Sequence, residues 1–179
     1  LTYDPLPRQR QVRLTAEVRD FSGRLLRRHT FAPEMLPARE VGRLEVALPM
    51  EKLFTSDAER KGAFVHYELR DARTKALITE LTDYAARTKE LRLPRTKAGD
   101  FTLKTTRRAG TLFIDIQSKT LLKDAYIDLG ETGWQLSDNF LDILPGRRYR
   151  LRATRRQNAP ARTTTALPTV TLRSITTAE

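Results

Sequence analysis

Val12, Leu14, Ala16 and Val18 alternate with Arg13, Thr15, Glu17 and Arg19, the period of two that gives a strand one buried and one solvated face. Asp20-Phe21-Ser22-Gly23 reads as a turn, and residues 25–31 return as a hairpin partner. Leu44, Val46 and Leu48 predict a further strand ending at Pro49, and Met50, Leu53 and Phe54 predict a single helical turn after that proline. Residues 64–70 and 76–84 are β-rich runs joined by Asp71-Ala72-Arg73-Thr74-Lys75, a second hairpin.

The alternation of Leu91 and Leu93 is closed by Pro94 and then by a polar stretch with Gly99, which places a domain boundary between residues 95 and 96. Beyond it the period-2 pattern restarts with Phe101 and Leu103. It continues through Leu112, Ile114 and Ile116, then Ala125, Ile127 and Leu129, then Tyr149, Leu151 and Ala153, and ends with Val170 and Leu172. Short strands separated by Gly, Pro and Asp turns, without long amphipathic helices, predict an all-β chain of two tandem sandwich domains, residues 1–95 and 96–179. A length of 179 residues suits two such domains.

Composition removes several chemistries. Without cysteine there is no disulfide, thiolate metal site or cysteine nucleophile. His29 and His66, the two histidines, fall in separate predicted strands without carboxylates at ligand spacing and read as surface or edge residues, so neither a metal site nor a catalytic triad is expected. The eight glycines are dispersed and open no helix, which argues against a phosphate-binding loop. No cofactor is expected, and no apolar run is long enough for a membrane helix. The start Leu1-Thr2-Tyr3-Asp4 reads as the interior of a longer protein.

The net charge of +11 is spread over both halves. Its densest expression is the run from Arg147 to Arg156, whose arginines alternate with Tyr149, Leu151 and Ala153 and so line the outer face of a strand. Such a stripe is a candidate for nucleic acid or an anionic polysaccharide. Few aromatics accompany it for base stacking, however, and a solvated face that maintains solubility is the simpler reading, so no nucleic-acid partner is expected. Asp138 and Asp142 are close enough in sequence to raise the paired carboxylates of a glycosidase, but no flanking cleft is visible.

Residues 134–146, Trp-Gln-Leu-Ser-Asp-Asn-Phe-Leu-Asp-Ile-Leu-Pro-Gly, predict a corner. Asp138 and Asn139 are suited to bonding nearby main chain, Phe140, Ile143 and Leu144 to entering the core, and Pro145-Gly146 to turning into the next strand. Ser137-Asp138-Asn139-Phe140-Leu141-Asp142-Ile143-Leu144-Pro145-Gly146 resembles the Ser-Asp-Asn-Phe-Phe-Asp-Leu-Leu-Pro-Gly segment in the C-terminal immunoglobulin-like domain of β-mannosidases of glycoside hydrolase family 2. Upstream, residues 87–94 resemble the Pro-Lys-Xaa-Leu-Xaa-Leu-Pro passage that leads into that domain, with Arg87 or Thr88 where proline is usual.

The resemblance implies two immunoglobulin-like β-sandwiches, the penultimate and the C-terminal domain of such an enzyme. In that family a (β/α)₈ barrel preceding these domains carries an acid/base and a nucleophilic glutamate. This chain has no Asn-Glu dipeptide of the sort that carries the family's acid/base, so no catalytic residue is carried over. The implied role is that of a non-catalytic accessory region whose partner is the catalytic barrel of the same polypeptide. The parent would be a retaining enzyme removing terminal β-linked mannose from oligosaccharides, in a periplasmic or secreted setting, with a cytoplasmic one as the alternative. A carbohydrate-binding module contacting oligosaccharide is the alternative. Its aromatic candidates are Tyr3, Tyr67, Tyr84, Tyr126, Tyr149 and Trp134.

Overall fold

The computed structural model describes residues 1–130, 133–156 and 167–177. The chain divides into two compact units, Leu1–Arg92 and Leu93–Glu179.

The first unit is built on a five-stranded antiparallel sheet. Its longest strand, β2 (Arg10–Asp20), pairs on one side with β6 (Ala63–Asp71), which pairs in turn with β7 (Leu77–Asp83). On its other side β2 pairs successively with β4 (Glu34–Leu36) and β3 (Leu25–Thr30). The register sets Leu14 opposite Leu69, Ala16 opposite Tyr67 and Val18 opposite Val65, so the alternating residues of β2 and β6 form one apolar face.

That face is covered by two different devices. A two-stranded ribbon of β1 (Thr2–Tyr3) and β5 (Gly42–Arg43) brings Tyr3, Leu6 and Leu44 onto Val12, Leu14 and Leu69. The helical turn α1 (Met50–Leu53) brings Leu53 and Phe54 onto Ala16, Val18, Ala63 and Val65. The second layer of this sandwich is therefore thin. The strand expected from Leu44, Val46 and Leu48 is not formed, because those side chains reach the core from irregular backbone after β5 ends.

Ser56 caps the short helix α2 (Asp57–Lys61) by accepting a hydrogen bond from the Glu59 amide, a start that the Ser56-Asp57-Ala58-Glu59 spacing encodes. The Glu59 carboxylate instead bonds Thr55 and Arg27.

In the ribbon, Gly42 lies opposite Tyr3, and a β-carbon at this position would overlap the Tyr3 phenol ring. Gly42→Ala must displace that buried ring from the core. A loss of about 1–3 kcal/mol is expected, measurable by chemical denaturation against wild type.

Among its described residues the second unit has two sheets. One is ordered β11 (Trp134–Leu136), β13 (Arg148–Arg155), β9 (Thr111–Ser118), β8 (Phe101–Arg108), and the other β12 (Leu141–Ile143), β10 (Leu122–Asp128), β14 (Thr171–Arg173). Sheets of four and three strands are the count of a constant-type immunoglobulin sandwich. Leu112, Ile114, Ile116, Leu151 and Ala153 of one sheet meet Leu122, Ala125, Ile127 and Ile143 of the other, with Trp134 completing the core.

Candidate functional site

The corner of residues 137–146 contains the motif on which the resemblance rests, and its polar side chains are committed to main chain. The Ser137 hydroxyl accepts from the Arg152 amide (3.0 Å). Asn139 behaves as a substitute strand residue: its Oδ1 accepts from Ile127 N (2.8 Å) and its Nδ2 donates to Ile127 O (3.1 Å), beyond the last β10–β12 pair at Ala125 and Leu141.

Asp142 serves a bulge in β10, where the register shifts between Leu122 and Ala125 and Asp124 has a φ of 51°. Its Oδ1 accepts from Asp124 N (2.9 Å) and lies 3.6 Å from the ammonium of Lys123, a buried lysine. Asp138 accepts from the Asn139 amide (2.8 Å). The two aspartates thus do local structural work.

After Pro145 and Gly146 the chain enters β13, and the Tyr149 hydroxyl accepts from the Leu144 amide (3.1 Å), the tyrosine corner of immunoglobulin-type sandwiches. Tyr149→Phe leaves that amide unpaired, at an expected cost of about 1–2 kcal/mol. Urea unfolding followed by the fluorescence of Trp134, the single tryptophan, measures it within the same sandwich.

Ile143 and Leu144 enter the core as the sequence predicts, but Phe140 does not. It takes a left-handed conformation (φ 57°), is 68% exposed, and lies against the ring of Tyr126 with 5.0 Å between centroids. The turn that brings the Asn139 amide to β10 directs the next side chain outward, so this pair forms an exposed aromatic patch.

The arginine stripe is present as an outer sheet face. Arg148, Arg150 and Arg152 are exposed and stand opposite Gln117, Asp115 and Phe113 of β9. Arg150 grips Asp115 with two hydrogen bonds (2.6 and 3.0 Å). That bond, with the charges of Arg148 and Arg108, holds the Asp115 carboxyl below its ordinary value. Lys104 flanks Asp115 from β8. Thr102, Lys104, Asp115, Gln117, Arg148 and Arg150 line a shallow concavity of about 250 Å³ here. A carboxylate at its centre makes the face amphoteric, suited to hydrogen bonding more than to collecting polyanions.

Of the histidines, His29 is half-buried, with Nε2 2.9 Å from the Lys52 carbonyl oxygen. His66 is neither on the surface nor on an edge strand: it is 5% exposed, on β6 inside the sheet. Contrary to expectation, carboxylates do stand at ligand spacing: Glu68 and Glu80 lie beside it, a grouping that the His-Xaa-Glu spacing and the register of the 64–84 hairpin contain.

Among the described residues no helix is long and apolar enough to cross a membrane.

Comparison with known proteins agrees with this geometry. Residues 94–178 match the Ig_mannosidase family, an Ig-fold domain. Among solved structures, the β-D-mannosidase of Dictyoglomus thermophilum superposes with a TM-score of 0.64 at 16% identity, over 96% of this chain and 19% of that one. The exo-chitosanase CsxA of Amycolatopsis orientalis superposes with a TM-score of 0.53 at 11% identity, over 82% of this chain and 21% of that one. The chain thus spans about a fifth of the length of these enzymes. Comparison with curated protein sequences gives no match. With its four-plus-three sandwich, its tyrosine corner and the family match over residues 94–178, the second unit belongs to the mannosidase-type immunoglobulin-fold domains.

Proposed function

We propose that the chain is a non-catalytic accessory region of an exo-acting family 2 glycosidase of the β-mannosidase type. In this role its sandwiches pack on, and support, a catalytic barrel in the same polypeptide, in an exported enzyme. The observation that carries this reading is the superposition on the D. thermophilum mannosidase, which runs through both units instead of stopping at the family-matched one. The exo-chitosanase superposition makes β-linked glucosamine the competing sugar.

The test is the full-length gene product, assayed on p-nitrophenyl β-D-mannoside and β-D-glucosaminide with and without these residues. The expected result is mannoside hydrolysis that loses heat stability when they are deleted. A gene without a barrel, or a deletion that leaves stability and activity unchanged, overturns the reading.

The exposed Tyr126–Phe140 pair favours a second reading, a carbohydrate-binding surface, because an exposed aromatic patch can stack on a sugar face. Titration of the chain with manno-oligosaccharides decides it: no heat at millimolar sugar removes it.

A further inference from the structure

The outer face of the first sheet contains a set of groups that neither the corner nor the mannosidase resemblance uses. In the β6–β7 hairpin Glu68 stands directly opposite Glu80, and His66 opposite Thr82, so all four side chains share one face. Like charges directly opposed across a strand pair are destabilising unless a cation is shared between them. Arg70 partly answers this by donating to both oxygens of Glu68 (2.9 and 3.1 Å). Glu68, Glu80, Arg70 and the His66 imidazole thus form one charged cluster on this face.

Within this cluster the His66 side chain is only 6% exposed. Its Nδ1 is 3.1 Å from the Thr82 hydroxyl. Its Nε2 points between the carboxylates, 3.6 Å from Glu68 Oε1 and 3.4 Å from Glu80 Oε2. Both distances exceed the usual hydrogen-bond range of about 2.7–3.2 Å. They match the separation, about 3.3 Å, of two donors bound tetrahedrally to one ion at about 2.0–2.1 Å.

We propose that His66, Glu68 and Glu80 form a divalent-cation site of the zinc class. Nε2 supplies the nitrogen ligand and the two carboxylates the oxygen ligands, and their donor atoms all lie within 4.8 Å of one another. Thr82 is the outer partner that keeps the proton on Nδ1 and so leaves the Nε2 lone pair for the metal. Arg70 stays on Glu68, since a carboxylate oxygen has lone pairs for both metal and guanidinium. Glu80, on the edge strand β7 with 35% of its side chain exposed, is the solvent side by which the ion enters and where water completes four-coordination. Opposite His66 on β2, Glu17 is already held by Arg19 and Arg28 and takes no part. One imidazole with two carboxylates favours zinc over magnesium or calcium, which take oxygen. The ion would staple β6 to β7 across the pair of glutamates.

Calorimetric titration of the chain with Zn²⁺ alone is expected to give one ion per chain. Zinc at a hundred-fold excess over Kd is expected to raise Tm by about 5–10 °C, and equal Mg²⁺ to leave Tm unchanged. Co²⁺ would give visible d–d bands from a four-coordinate site. His66→Gln and Glu80→Gln should each abolish the shift, Thr82→Val should weaken binding about 10–100-fold, and His29→Gln should change nothing. Glu80→Gln removes one of two opposed charges on an exposed edge, so it folds and reports even where His66→Gln does not. No shift at millimolar Zn²⁺, a shift that persists in Glu80→Gln, or one that disappears in His29→Gln overturns the site.

Discussion

Phe64→Ala is expected to destabilise the chain by about 3–5 kcal/mol, the largest effect of any single truncation in the first unit. Phe64 is fully buried although it points from the sheet face opposite to the main apolar one, where its neighbour across β2 is Arg19. What closes over it is the Phe21 ring, stacked at 6.4 Å and 11°, and the Tyr84 ring, tilted at 6.5 Å. Removing the middle ring of three takes away both contacts, and the two outer rings, held by separate chain segments, have no common partner left to collapse on. Phe64→Leu refills most of the volume and should cost well under half as much. Urea unfolding followed by far-ultraviolet circular dichroism measures both. A loss below about 1 kcal/mol for the alanine variant would mean that these aromatics do not form a second small core.

In the second unit the most damaging surface change is expected at Asn139. Asn139→Ala strips β10 of the partner for both the amide and the carbonyl of Ile127, and removes the acceptor for the Phe140 amide (3.1 Å). Each orphaned buried group costs about 1–3 kcal/mol, and partial access of water brings the expected total to about 2–4 kcal/mol. Asn139→Asp separates the terms, because it keeps an acceptor for Ile127 N but sets a carboxylate against Ile127 O. It should be no better tolerated than alanine, and worse as pH rises through the carboxylate range. Trp134 fluorescence reads both variants from within the same core. An Asn139→Ala variant as stable as wild type would show the corner to be held by its apolar residues alone.

Long strands with one buried face were legible because each residue repeats the same message: β2, β9 and β13 alternate over most of their length, whereas β6 is buried on both faces over its first four residues. Strands β1, β4, β5, β11 and β12 have three residues or fewer, too few for a period to show; β4, β11 and β12 exist because longer neighbours pair with them, and β1 and β5 pair with each other. Leu44, Val46 and Leu48 show the converse, since alternation reports burial on one side and not hydrogen bonding, and these residues are packed without being paired.

Phe140 and His66 departed from expectation for one shared reason. Both were assigned a side of a sheet from composition, an aromatic inward and an imidazole outward. A left-handed turn sends Phe140 outward, and a crowded outer face buries His66 although it points outward. The corner itself could be read as structural from its Asp, Asn, Pro and Gly, but which strand each side chain would bond could not, because that depends on partners such as Ile127 and Arg152 distant in sequence.

Strand β8 ends its sheet, so among the described residues one side of its backbone is without a strand partner. An open edge of eight residues is a template for a second copy of the chain. It carries Lys104, Arg107 and Arg108, and two such edges brought to the ~4.8 Å of strand pairing would set these cations against each other well inside the ~8 Å over which charge acts at physiological salt. Near 1 M salt that range shrinks to ~3 Å, shorter than the pairing distance. The basic side chains scattered along this edge thus act as a guard against self-addition, and concentrated salt is the condition that disarms them.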